Sequence, residues 1–499
     1  MTADFYWADH RVVDARELVL RARKLAAGLL ERNIGAGDSI AILTRNHPVY
    51  ADVILACRLM GCHYCPINSH LTAREIAFIL KDSGAKLLLV QNDLADRVPE
   101  SIRLELATLV IDAPAEQGES EYERWIWGQS AFAGTTDAPG THIAYTAGTT
   151  GRPKGVVRLP VRSEERVARR AMFRKLMADA FGITPGGRVL MPAPLYHSAP
   201  SVIAQTSLDV SERLVLMPRF DAQALLQMIE VHRITTLYLV PIMYSRLLAL
   251  PDEVRSRYDI SSLEFVASTG APCAPEMKRQ MIEWMGPIIH EAYASSEVGA
   301  ITTINSEEAL LRPGSAGRPL ETAEIRILDN EGNAVPPGVT GLIYVRQRAY
   351  PDFTYRGNDE ARRSIERQGL VTLGDMGHLD EDGYLYVSDR ASDMVVSGGV
   401  NIYPVEVEHL LAAYPGIADC AVFGIPDPEF GEKLMAVLQL EPGWDIDTHA
   451  LIQWLRDRIA GFKIPRLFET VLALPRDENG KIAKRRLREP YWASHERAI

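Results

Sequence analysis

Leu18, Ala22, Leu25 and Leu29 recur at helical spacing and predict an amphipathic helix, stopped by Gly35 and Gly37. The short apolar run Ile40–Leu43 follows as a strand. Asn46-His47-Pro48 then opens a second helix that runs through Met60, and further helix–strand units occupy 72–81 and 86–90. The same alternation returns around Val189–Met191, Leu214–Leu216, Leu237–Val240 and Phe265–Ala267. Helices alternating with short apolar strands predict parallel sheets covered on both faces, an α/β architecture.

Beyond about residue 310 the texture changes. Turn-forming clusters such as Asp329-Asn-Glu-Gly332 and Asp380-Glu-Asp-Gly383 separate short strands, which predicts a β-rich, barrel-like subdomain. From Met394 the pattern is mixed: a strand to Ser397, a helix from Pro404, strands near 419–425 and 433–440, a helix at 449–459 and a strand near 467–473. The expected division is a large domain over 1–389 and a small α+β domain over 390–499.

A chain of 499 residues is too long for one ordinary core, in agreement with that division. Its 47% hydrophobic and 24% charged residues describe a globular protein rather than a fibrous or low-complexity one. No apolar run reaches the length of a membrane span, and the first ten residues lack the basic and apolar stretches of a secretory signal. A net charge of −11 argues against a general nucleic-acid surface. Together these predict a cytoplasmic enzyme with no transmembrane segment and no nucleic-acid partner. Oligomeric state stays open, a homodimer included.

Five cysteines in this length do not make a disulfide framework. Cys57, Cys62, His63 and Cys65 lie close enough to raise a zinc or redox site. Against that, Cys57 shares an apolar helical stripe with Val53 and Met60, and Cys62 and Cys65 lead into an apolar strand at Pro66-Ile67. The packing role is the expectation.

The chemistry concentrates in Tyr145-Thr-Ala-Gly-Thr-Thr-Gly-Arg-Pro-Lys-Gly155. Gly148, Gly151 and Gly155 let the backbone turn tightly and bring N–H groups to phosphate oxygens. Thr146, Thr149 and Thr150 add hydroxyls, and Lys154 adds a mobile positive charge. The spacing of the common P-loop cannot be laid on it, and a plain surface loop would not need so specialised a composition.

This loop resembles the phosphate-binding signature of the adenylate-forming superfamily: acyl-CoA synthetases, adenylation domains of peptide synthetases, and luciferases. Ala147 stands where the family usually has Ser, which removes one hydroxyl donor. Tyr293-Ala-Ser-Ser-Glu-Val-Gly299 is similar to the second family signature, with Ser296 in place of the usual Thr. Read alone, Glu297 after two serines could equally start a helix. The resemblance implies that Glu297 and Thr149 hold magnesium on ATP and that Ser296 reaches the α-phosphate. Thr372-Leu-Gly-Asp375 and the following Arg390 resemble the third signature, which implies Asp375 on the ribose hydroxyls and Arg390 on ribose or phosphates just before a hinge. Ser392 occupies a hinge position that is usually Asp or Lys.

In Met394–Pro404 the paired Gly398 and Gly399 resemble the segment lining a pantetheine channel in CoA-using relatives. Pro475–Lys481 resembles the last signature, implying that Lys481 bridges the acid and the α-phosphate during adenylation. Nearby Lys484, Arg485, Arg486 and Arg488 read as solvated. Pro194–Pro200 resembles the segment that carries a gate beside the acyl pocket, which falls on His197. Ser268–Pro272, with Gly270, Ala271 and Pro272, resembles the loop on which adenine and acid rest, beside Tyr293. Ala292 and Ala294 replace frequent family glycines and would narrow one wall.

The resemblance spans nearly the whole chain. It implies a mobile C-terminal domain and an ATP-, magnesium- and coenzyme A-dependent ligase that converts a small carboxylic acid to acyl-AMP and then to a thioester. No aspartate near His197 would pair with an ammonium, so the expected acid is apolar, medium-chain or ring-bearing, rather than an amino acid. The alternatives are loading of a carrier protein, retention of acyl-AMP for another acceptor, and a non-enzymatic nucleotide sensor. The joint presence of Lys481, Glu297 and Asp375 argues against the sensor.

Overall fold

The computed structural model describes residues 4–7, 10–112, 120–136, 140–146, 153–390, 393–397, 400–476 and 482–493. Strands Ser39–Leu43, His63–Ile67, Ala85–Val90 and Ala107–Val110 pair in parallel. Their side chains alternate between two cores: Ile40 and Ile42 enter one, Ala41 and Leu43 the other. Burial on both faces is what turns such strands into continuous apolar runs.

A nine-stranded sheet carries the rest of the α/β part. Its interior strands Ile289–Ser295, Phe265–Ser268, Thr236–Leu239, Arg188–Met191, Arg213–Leu216 and Asp4–Trp7 are parallel. The strands outside this run, Gly299–Ile304 with Arg318–Pro319 at one end and His10–Val13 at the other, are antiparallel. The β-rich part is an antiparallel sheet of Ala323–Leu328, Gly341–Gln347, Glu366–Arg367, Leu370–Leu379 and Leu385–Arg390. A three-stranded sheet joins Ala144–Thr146, Lys154–Arg158 and Phe353–Tyr355.

The C-terminal part is α+β, as its pattern predicts. Ile417–Asp427 and Gly431–Leu440 form a long antiparallel pair, extended in parallel by Leu467–Val471. Helices Pro404–Leu411 and Thr448–Arg456 pack one core between Val395 and Ile464, and alternate residues such as Ala421 and Phe423 fill a second. Among the described residues, these two cores begin at Val395 and the others end by Val387. The chain is therefore a large N-terminal and a small C-terminal domain.

Two expectations need correction, and one element was not foreseen. The first helix spans Ala15–Glu31 and ends before the glycines, because Asn33 takes the left-handed turn at φ +56°. The N-terminal hairpin has no sequence signal: its partner, Arg213–Leu216, lies some two hundred residues away. Lys484 and Arg488 are not solvated. They sit on helix Lys484–Trp492, where Lys484 pairs with Glu408 at 2.9 Å and Arg488 with Asp393 at 3.5 Å. Arg485 does face solvent, beside Glu489. Cys57, Cys62 and Cys65 are all buried, and desolvation pushes the Cys65 thiol up to about 12, as befits packing residues.

Candidate active site

Strands Ala144–Thr146 and Lys154–Arg158 place Thr146 opposite Lys154, so the threonine-rich segment connects a hairpin. Ala147, Gly148, Thr149, Thr150 and Gly151 lie outside the described residues, as do Ser392, Gly398, Gly399 and Lys481. Gly155 is needed for a close approach. A Cβ there would stand 2.9 Å from Tyr145 Cζ, whose hydroxyl donates to Asp82 Oδ2 at 2.6 Å. Lys154 Nζ lies 5.0 Å from the centre of the Tyr355 ring, a cation–π distance. The Tyr355 hydroxyl donates in turn to Glu297 Oε1 at 3.2 Å.

Glu297 stands in the turn between antiparallel strands Ile289–Ser295 and Gly299–Ile304, so the two serines before it do not start a helix. Hydrogen bonds run from this segment to two other motifs. Tyr293 donates to Asp375 Oδ2 at 2.5 Å, and Ser296 Oγ meets Ser198 Oγ at 2.9 Å. Asp375 faces Arg390 in register across the strand pair. Tyr293, Ser296, Glu297, Asp375, Lys154 and the His197 segment are thus one connected group.

His197 immediately precedes helix Ser198–Val210, its ring edge-on to Tyr196 at 4.5 Å. Burial, aided by the charge of His70, pulls its pKa down to about 4, so the ring is neutral at pH 7. Its Nε2 is buried and has no hydrogen-bond partner among the described residues. Gly270 follows strand Phe265–Ser268 with φ +93°, a backbone that a side chain would strain, and opens the loop to Ala271 and Pro272. The His197 segment, this loop and the Glu297 turn all follow the C-terminal ends of parallel strands, the edge where open α/β sheets bind ligands. On the strand leading to that turn, Ala292 is buried, and a register shift separates Tyr293 from Ala294.

Sequence reasoning missed two residues here. Tyr355 had no signal beyond a strand-like neighbourhood. Arg158 ends the apolar stretch that begins after Lys154, and a cation at the end of such a strand was the available clue. It donates from Nη2 to the Ser296 carbonyl at 2.6 Å and from Nη1 to the Glu297 carbonyl.

A family model described as AMP-binding enzyme matches residues 3–350, and one described as AMP-binding enzyme C-terminal domain matches 406–481. The chain belongs to the AMP-binding enzyme family. A feruloyl-CoA synthase from an Amycolatopsis species is 33% identical over 95% of this chain and 93% of its own length. A 2-succinylbenzoate–CoA ligase from Bacillus velezensis is 32% identical over 96% and 94%. The crystal structure of ATP-bound MatB from Rhodopseudomonas palustris superposes with a TM-score of 0.86 at 27% identity, covering 99% of this chain and 97% of that one. As a member of this family's acyl-CoA synthetases, the chain is an AMP-forming acid–thiol ligase, with ATP, a carboxylic acid and CoA as substrates. None of its described helices is long and apolar enough to cross a membrane.

Proposed function

We propose that this ligase activates an apolar carboxylic acid, medium-chain or ring-bearing, in two half-reactions. In the first, a carboxylate oxygen bonds to the α-phosphorus of ATP and the bond to the β-phosphate oxygen breaks, giving acyl-AMP and pyrophosphate. In the second, the CoA sulfur bonds to the acyl carbon, AMP leaves with the shared oxygen, and the thiol proton passes to solvent.

Asp375 would accept hydrogen bonds from the ribose hydroxyls while Tyr293 holds it in place. Lys154, Thr146 and Ser296 would contact the phosphates, with Lys481 bridging acid and α-phosphate from residues 390–499. That domain then turns, withdrawing Lys481 and bringing Gly398 and Gly399 to the thiol's path. The Glu297 carboxylate fits magnesium on chemical grounds. It is a hard oxygen donor, and only Oε1 is engaged among the described residues. Magnesium bound there, with Thr149, would offset phosphate charge.

The observation that carries the choice of acid is the electrostatics of His197. Burial pulls the ring's pKa down to about 4 and keeps it neutral at pH 7, and among the described residues no carboxylate raises it. An ammonium buried beside it would lack a partner, at a cost of several kcal/mol. The test is a panel of fatty, aromatic and amino acids, scored for AMP formation with and without CoA. Apolar acids should lead, and AMP release should depend on CoA. A preference for free amino acids, or equal turnover with a carrier protein replacing CoA, would overturn the reading.

A further inference from the structure

Arg158 lies on the strand that leaves the phosphate-binding hairpin, yet its guanidinium is spent on a different motif. Nη2 donates to the Ser296 carbonyl at 2.6 Å, and Nη1 to the Glu297 carbonyl and to the Pro351 carbonyl, the last at 3.3 Å. The carbon of the guanidinium sits 5.0 Å from the centre of the Tyr350 ring. Arg169 fixes the same ring's backbone, donating to the Tyr350 carbonyl at 2.7 Å and to the Arg348 carbonyl at 3.2 Å. Phe173 closes on the ring edge-on at 5.1 Å. The cation therefore rests on an anchored aromatic floor and grips two successive carbonyls of the turn.

We propose that Arg158 is a positioning residue for the Ser296–Glu297 turn, and through it for the phosphates of ATP. The proposal rests on the ligase reading above. A planar fork can donate to neighbouring carbonyls from two nitrogens at once, which the single ammonium of lysine cannot do in the same geometry. Arg158 holds the turn's main chain from one side while Tyr355 holds the Glu297 carboxylate from another. Because Arg158 belongs to strand Lys154–Arg158, its hydrogen bonds tie that strand to the turn. The hydrogen bonds from Arg158 to the turn use no side-chain atom of Ser296 or Glu297, whose side chains meet Ser198 and Tyr355 instead.

The experiment compares wild type, Arg158→Lys, Arg158→Met, Glu297→Gln and the Arg158→Lys/Glu297→Gln double variant. ATP affinity is measured by calorimetry with and without magnesium, and acid-dependent pyrophosphate release by steady-state kinetics. Arg158→Lys should weaken ATP binding in magnesium on the order of tenfold, the effect of a lost charge-assisted hydrogen bond, while KM for the acid stays within about twofold. In the Glu297→Gln background the same change should cost less than about twofold, because the residue it acts through is already impaired. Unchanged ATP affinity in Arg158→Lys would overturn the proposal, and so would full additivity with Glu297→Gln. If Arg158→Met fails to fold, Arg158→Lys carries the test; an unfolded Arg158→Lys would assign the residue to packing alone and refute it. A wild type that binds ATP but releases no pyrophosphate with any acid would instead refute the ligase reading.

Discussion

Gly299→Ala tests the floor beneath Arg158. Gly299 has φ +80°, and a Cβ built there would stand 2.2, 2.4 and 2.6 Å from Cε2, Cζ and Cδ2 of Tyr350. Carbon atoms pack at about 3.5–4.0 Å, so the ring would have to retreat by more than about 1 Å. It has little room to do so: Tyr350 is buried, Phe173 lies against its edge, and Arg158 lies over its face. The left-handed backbone costs alanine about 1–2 kcal/mol. Overpacking a tight site adds about 1–3 kcal/mol, for a total of about 2–5 kcal/mol. Urea unfolding of the N-terminal domain measures it. In a Tyr350→Leu background the clash disappears and only the backbone cost of about 1–2 kcal/mol should remain. ATP affinity should fall as well in the single variant, because the displaced ring carries Arg158 with it. A cost below about 0.5 kcal/mol, or the same cost in both backgrounds, would refute the reasoning.

Lys481→Ala should lower adenylation on the order of a hundredfold or more while thioester formation from supplied acyl-AMP survives; equal loss of both half-reactions would count against its assigned role. Acid sensitivity should also appear. Burial, aided by the charge of Arg158, depresses the His142 pKa to about 3, whereas the unfolded side chain titrates near 6.5. The unfolded state therefore takes up the proton first, so stability present above pH 6.5 is lost as pH falls toward 3, by up to about 1.4 kcal/mol per unit. His142→Phe should flatten that decline in unfolding measurements between about pH 6.5 and 4.5, and an unchanged slope would exclude His142 as its source.

Much of the α/β fold was legible because Ile40–Leu43 and Val189–Met191 are buried on both faces, and such strands announce themselves as uninterrupted apolar runs. Helix ends were less legible. A glycine is the usual left-handed stop, but here Asn33 does that work two positions before Gly35. The basic run after residue 483 looked solvated because its partners, Glu408 and Asp393, are about eighty and ninety residues away in sequence. The site divides the same way. Lys154 sits in a segment whose composition already suggests phosphate chemistry, and Glu297 and Asp375 sit in segments that resemble signatures of the family. Tyr355 and Arg158 act by reaching across the fold to another motif, and nothing in their immediate neighbours encodes that reach.

The contacts between motifs also bear on how one site can serve two half-reactions. Tyr293 to Asp375, Ser296 to Ser198, Tyr355 to Glu297 and Arg158 to the Ser296–Glu297 carbonyls all join residues before 390. Each ties a residue that the proposed reading turns toward the nucleotide to a different strand or loop of the N-terminal domain. Asp375 faces Arg390 in the last strand before the C-terminal cores begin at Val395. Under the proposed reading, a turn made within those few residues would pivot from the end of a strand already hydrogen-bonded to the ribose-binding one. Rotation would then exchange Lys481 for Gly398 and Gly399 without disturbing the residues that hold the adenylate. Fixing the nucleotide side while swapping what faces it lets the intermediate stay bound between steps. The interlocking hydrogen bonds give the fixed half its physical basis.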